Sequence, residues 1–239
     1  MKFTLNVFFL ISSFLITYAS SAQKTLESGH VKMEITAVSA DDPQTEMMLA
    51  SMKGSQTEVF FRGNEHVTSM DMMGGMIKTK THISHATNTM NMLFDMSMMG
   101  QKTWVESKLD DTLKPEDKER MSKTKITYDK KDTKTILGYN CYKMTISSPD
   151  MEGMNVTGYV TEQIKTKANL VQGFQSLEFA GYTMEFTVSS PQFAMTMTAV
   201  EVSDNVVDAN FVLDTKGYKK MTMAEFQQAM GGMGGGFGF

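Results

Sequence analysis

The chain has one cysteine, Cys141, one tryptophan and four prolines in 239 residues. A single thiol cannot close an intrachain disulfide, so Cys141 reads as a small buried hydrophobe inside an apolar strand or, failing that, as half of an intermolecular bridge. Four histidines, His30, His66, His82 and His85, are too few and too scattered for a recognisable metal cage. His82 and His85 are three apart, which puts their rings on opposite faces of a strand. No Cys-x-x-Cys, His-Glu-x-x-His, Gly-x-Ser-x-Gly or phosphate-cradling glycine loop occurs, and the acid pair Asp110-Asp111 reads as a solvated loop. Enzymatic activity, a catalytic residue and a cofactor are therefore not expected. The formal net charge is −4. With no basic block to steer nucleic acid or an acidic membrane, neither is an expected partner.

The one long apolar stretch is at the N-terminus. Lys2 precedes a run from Phe3 to Tyr18, and Ala19-Ser20-Ser21-Ala22 supplies small residues before Gln23, the pattern of a cleaved secretory signal. The run is shorter than the ~20 apolar residues that span a bilayer. Cleavage after Ala22 removes Lys2 and takes the charge from −4 to −5. No cysteine follows the cleavage site, so a periplasmic or secreted protein without a lipid anchor or an integral membrane segment is expected. Residues 1–22 are read as the signal, 23–230 as one β-rich domain and 231–239, GMGGGFGF preceded by Gly231, as a flexible glycine-rich tail.

What the sequence has in excess is methionine, 25 residues. Many alternate: Met70 and Met72, Met90 and Met92, Met96 and Met98, Met195 and Met197. Residues two apart share a face of a strand, so these runs place flexible thioethers on one side of a sheet. Val31, Met33 and Ile35 open the series of strands. Asp42-Pro43 and Gly54 then bracket a short helix whose Met47, Met48, Leu49 and Met52 offer a packing face. From Gln56 to Ser107 apolar alternation is broken by turns every ~8–12 residues, the rhythm of a meander or barrel. Residues 110–123 break it with a short exposed helix or loop. Thr133 to Ser147 reads as a polar turn leading into a central strand, with Met154 to Thr161 as its hairpin partner. Gln163 to Gly173 is ambiguous between helix and loop. Ala180–Ser189 and Phe193–Val202 read as strands, and the parity change between Met197 and Val200 predicts a bulge near Ala199. A short helix is expected at Thr222–Met230.

The run KTILGYNCYKMTI, the Gly158-Tyr159 hairpin and the closing Gly217-Tyr218-Lys219-Lys220-Met221 resemble a family of secreted Gram-negative proteins, the domain of unknown function numbered 4412. In outline the order of elements also resembles the periplasmic lipoprotein carriers LolA and LolB. That resemblance implies a mainly β (α+β) fold, an antiparallel incomplete barrel with a few helices over its concave face.

The expected function is noncatalytic binding of an apolar ligand such as a lipid or acyl chain. Methionine surfaces repack around varied apolar partners, and each Å² removed from water contributes ~25 cal/mol. The candidate lining is Met90, Met92, Phe94, Met96, Met184, Phe186, Met195 and Met197. Two alternatives stand beside it. Soft thioethers select Cu(I), with Met70, Met72, Met90 and Met92 as ligands, or an exposed edge strand pairs with an envelope protein.

Overall fold

The computed structural model describes residues 25–111, 119, 121–149, 151, 153–171, 174 and 177–231. The expected signal segment, and all of the glycine-rich tail except Gly231, lie outside them. Twelve strands form one sheet: β1 (Ser28–Ala40), β2 (Gln56–Arg62), β3 (Glu65–Met72), β4 (Ile77–Ser84), β5 (Thr89–Met96), β6 (Gln101–Lys108), β7 (Lys125–Ile136), β8 (Tyr139–Ser147), β9 (Asn155–Thr161), β10 (Tyr182–Ser189), β11 (Phe193–Ser203) and β12 (Lys219–Met221). Helices α1 (Pro43–Met52) and α2 (Met223–Gly231) flank the sheet, and among the described residues 119 and 121–123 are also helical, where a short helix or loop is expected. The strand order is β12-β6-β5-β4-β3-β2-β1-β11-β10-β9-β8-β7. Every pair is antiparallel except β12 with β6. The sheet is open, with β12 and β7 as its edges, so the mainly β, unclosed architecture is the one expected.

The first strand is the centre. β2 to β6 leave it outward as successive hairpins, and β11 back to β7 leave it on the other side. This corrects the sequence reading that placed the Cys141 strand at the centre. β8 is one strand from the edge, and Thr133–Ile136 is part of β7, not a turn. The reversal is the two-residue Leu137-Gly138, both at positive φ (49° and 84°), the backbone that matches strand twist in a tight hairpin. The predicted partner of β8 is its partner: Gly158 lies opposite Met144 and Val156 opposite Ile146.

Cross-strand register carries one face through the sheet. Met33 sits opposite Thr57 and Ala199, and Ile35 opposite Met197, which is opposite Phe186, which is opposite Gly158. The predicted bulge is present: Lys32 pairs with Glu201 and Met33 with Ala199, leaving Val200 extra. That residue restores inward parity to Val202 and is itself exposed. Val31, Met33, Val59, Met144, Val160 and Met184 are fully buried on these strands. Each such side chain contributes roughly 1.5–3 kcal/mol relative to exposure.

Helix α1 starts as its sequence dictates. The Asp42 carboxylate accepts the Thr45 amide at 2.7 Å, and Pro43 occupies the first turn. Its expected packing face does not form. Only Leu49 is buried, while Met47 and Met48 are 77% and 60% exposed. The short helix touches β1 and β11, and of the expected face only Leu49 is buried against them. At the far end, α2 starts at a capping box, with Thr222 Oγ1 accepting from the Glu225 amide and Glu225 accepting from the Thr222 amide. It lays Phe226 edge-on against Phe94, 5.4 Å between ring centres.

Candidate functional site: a covered apolar face on strands β8 to β11

Between β9 and β10 the chain runs about twenty residues with no helix and no strand among its described positions; an isolated bridge, Leu26 to Ile164, ties it to the chain just ahead of β1, and Ala180 N donates to the Tyr128 hydroxyl of β7 at 2.9 Å. Two backbone bonds fix that bridge, Leu26 N to Gln163 O and Lys165 N to Leu26 O, both 2.8 Å. Beyond it, Ile164, Ala168, Val171 and Phe174 are buried, with Leu170, Leu177 and Phe179 packed around them. They lie on the apolar residues of β8 to β11: Val171 and Phe174 share a cluster with Met144, Ile146, Val156, Val160 and Phe186. Ile164 and Ala168 share one with Met33, Tyr182 and Met184.

An irregular segment has backbone groups to satisfy, and Asn169 does this work. Its amide nitrogen donates to Phe174 O (2.6 Å) and Leu177 O (3.3 Å), and its oxygen accepts from Val171 N (2.9 Å). Asn169 thus ties together three described positions of the cover, Val171, Phe174 and Leu177.

Below it, Gly158 permits a close approach of β9 to β10. A Cβ there would fall 2.6 Å from the Glu185 carbonyl oxygen, 3.3 Å from Phe186 Cβ and 3.4 Å from Met144 Cε. Tyr182 is 2% exposed and its hydroxyl has no hydrogen-bond partner among the described residues. Burial raises its pKa. Burial also pushes the Cys141 thiol up to about 11, so it is an inert core group.

The eight candidate lining residues fall into two groups. Met184, Phe186, Met195 and Met197 lie on β10 and β11; Phe186 and Met197 pack into the cluster under the cover. Met90, Met92, Phe94 and Met96 all lie on β5, where Phe94, Met96 and Met92 pack with Phe226 of α2. Five strand steps separate β5 from β11, roughly 24 Å at ~4.8 Å each. They do not form one lining. Of the thioethers read as a Cu(I) set, Met70 and Met72 are on β3 and Met90 and Met92 on β5, with β4 between. Met72 is level with Met96, whereas Met90 is level with His66, six residues away along β3, or roughly 20 Å.

Sequence reasoning left the cover unassigned, although a stretch of this length between two strong strands is itself a signal of a functional loop. It also missed the second polar organisation of the molecule. Across the other face, residues 208–218 form a strap. Arg62 bonds Asp208 and Glu65 and stacks on Phe211 at 4.0 Å. Glu65 in turn bonds His82 at 2.9 Å. Burial alone would raise the Glu65 carboxyl, but the bonds from Arg62 and His82 outweigh it and lower its pKa. Lys80 donates to Val212 O at 2.9 Å, and a polar groove of about 640 Å³ opens beside the strap between Lys78, Lys80, Asp71 and Asp214.

As their spacing predicts, His82 and His85 have different partners: His85 lies beside His66, ring centres 5.5 Å apart. Burial, then the neighbouring His85 and His82, lowers the His66 pKa to about 4.

No family model and no curated protein matches the chain. Among solved structures, it is similar to the lipoprotein LppX of Mycobacterium tuberculosis, at 12% identity and a TM-score of 0.34 over 76% of this chain and 89% of that one. LprF from Mycobacterium bovis matches at 13% and 0.32 over 79% and 90%. MucB matches at 7% and 0.36 over 80% of this chain, which spans 59% of MucB.

Proposed function

We propose that this protein binds an amphiphilic lipid or acyl chain, without catalysis, on the apolar face of β8 to β11, and that the segment carrying Ile164, Val171 and Phe174 is the element a ligand displaces. A periplasmic or secreted location, after cleavage near Ala22, belongs to the same reading. The observation that carries it is the kind of cover. An apolar sheet face of this size is ordinarily closed by a helix or a second sheet, whose internal hydrogen bonds make it rigid. Here the described positions of the covering segment carry no helix or strand, and its own Val171 and Phe174 occupy the apolar seat, so an acyl chain of similar bulk can replace them with little net loss of buried area.

The unpartnered Tyr182 hydroxyl fits an amphiphile better than a plain hydrocarbon. An orphaned buried polar group costs about 1–3 kcal/mol, and a ligand carbonyl or hydroxyl entering with the chain relieves it.

Native mass spectrometry of protein purified without detergent tests the reading. A co-purifying mass of several hundred daltons that disappears on organic extraction is expected. Asn169→Ala, which unbraces the cover, should speed exchange of a fluorescent fatty acid into the extracted protein. If both forms stay bare and neither takes up the probe, the covered face is a filled core and the proposal fails.

A further inference from the structure

A methionine that serves as core filler is buried, yet among the described residues six of the ten large apolar side chains with substantial exposure are methionines: Met47, Met48, Met73, Met76, Met99 and Met154. Three of these lie in two neighbouring turns at one end of the sheet. Met73 and Met76 flank Gly74-Gly75 in the turn from β3 to β4, and Met99 ends the 3-10 turn Ser97–Met99 between β5 and β6. The two turns are joined: Ser97 N donates to Met76 O at 3.1 Å, continuing the β4/β5 ladder one step past the Ile77–Met96 pair. Met73 and Met76 are 37% and 38% exposed and Met99 58%. Directly inward, Met72 and Met96 lie opposite Ile77 from its two sides and pack in the cluster with Phe226. The sequence runs MDMMGGM and MNMLFDMSMMG, on either side of β4, therefore have their turn ends side by side.

We propose that this tip is a Cu(I) site, with Met73, Met76 and Met99 as its thioether ligands and Met72 and Met96 as the apolar seat beneath. Soft, neutral sulfur selects Cu(I) over hard or borderline divalent ions. The turn geometry suits capture from solution. Met73 holds a positive φ of 54°, and Gly74 and Gly75 (65° and 89°) let the loop bend without side-chain obstruction, so three flexible side chains can close on one ion. The nearest charges are balanced: Lys78 faces Asp71 at 3.8 Å and Lys102 faces Asp95 at 3.1 Å. The site is independent of the covered face on β8 to β11, which lies across the central strand.

The test is anaerobic titration of the purified protein with Cu(I), supplied as its acetonitrile complex and competed by bathocuproine disulfonate. One equivalent bound per chain is expected. Met76→Leu with Met99→Leu, a swap that conserves volume at exposed positions, should weaken binding at least tenfold with an unchanged melting curve. The control pair Met47→Leu and Met48→Leu, more exposed on α1, should bind as wild type. Absence of stoichiometric binding, retention of it in the tip variant, or equal loss in both variants would each overturn the assignment.

Discussion

His66 lies on β3 opposite Phe61 and Ile83, 6% exposed, and its ring sits against His85. An imidazole there is held neutral because burial penalises its charged form, and any charge on His85 or His82 adds to the penalty. Its pKa falls from the ordinary 6.5 to about 4. In the unfolded chain it protonates as pH falls through about 6.5, while in the folded protein it resists until about 4. The unfolded state therefore binds more protons across that window, and stability falls with falling pH. Above pH 6.5 the group contributes no pH dependence. At a cost of ~1.36 kcal/mol per pKa unit, the full shift removes about 3 kcal/mol by pH 4, a large part of the 5–15 kcal/mol typical of a domain. His85, lowered by its own burial and by Lys167, adds in the same direction.

Urea denaturation at pH 7, 5.5 and 4 measures this, with His66→Gln as the reference. The carboxylates titrate alike in both proteins, so the difference between the two stability curves isolates the imidazole. The variant should be less stable at pH 7 and should lose about 3 kcal/mol less than wild type between pH 7 and 4. Parallel curves would refute the buried neutral imidazole.

Two further outcomes follow from the packing. Gly158→Ala should lower stability by about 1–3 kcal/mol, as overpacking does, because the added Cβ meets a backbone oxygen of β10 that cannot swing away; a melting temperature equal to wild type would show that β9 and β10 separate easily. Cys141 should resist iodoacetamide at pH 8 for as long as the protein is folded and react at once in denaturant, since burial raises its pKa and closes access; modification of the folded protein at the rate of a free thiol would contradict its burial.

The sequence made the strands legible because alternation has a period and the bulge has a parity. The bulge near Ala199 is legible by counting, and the helix start at Asp42-Pro43 by cap chemistry. What it could not convey was rank within the sheet. β8 and β1 have the same apolar alternation, and only long-range pairing decides which is central. The helix α1 looked like a cover because Met47 and Met48 are apolar, but their exposure depends on where the helix docks, which no local pattern records. The candidate lining failed to gather for the same reason: β5 and β11 present similar Met and Phe faces, and face identity is readable where position along the sheet is not. The cover of β8 to β11 is ambiguous in the sequence because Ile164, Ala168 and Val171 stand at i, i+4 and i+7, a spacing that favours a helix, whereas their described positions carry none.

The central place of the first strand also bears on how the molecule is made. Hairpins β1 to β6 can pair as soon as each is synthesised, since every partner is the next strand. The other edge of β1 waits for β11, whose Thr198 bonds Thr36 across 162 residues of chain. Until residues 193–203 arrive, Val31, Met33 and Ile35 sit in a strand with one row of backbone groups unpaired, a template for association with other chains. Loop closure over such a separation is slow compared with hairpin formation. A nascent or truncated chain ending before β11 should be the form most prone to aggregate.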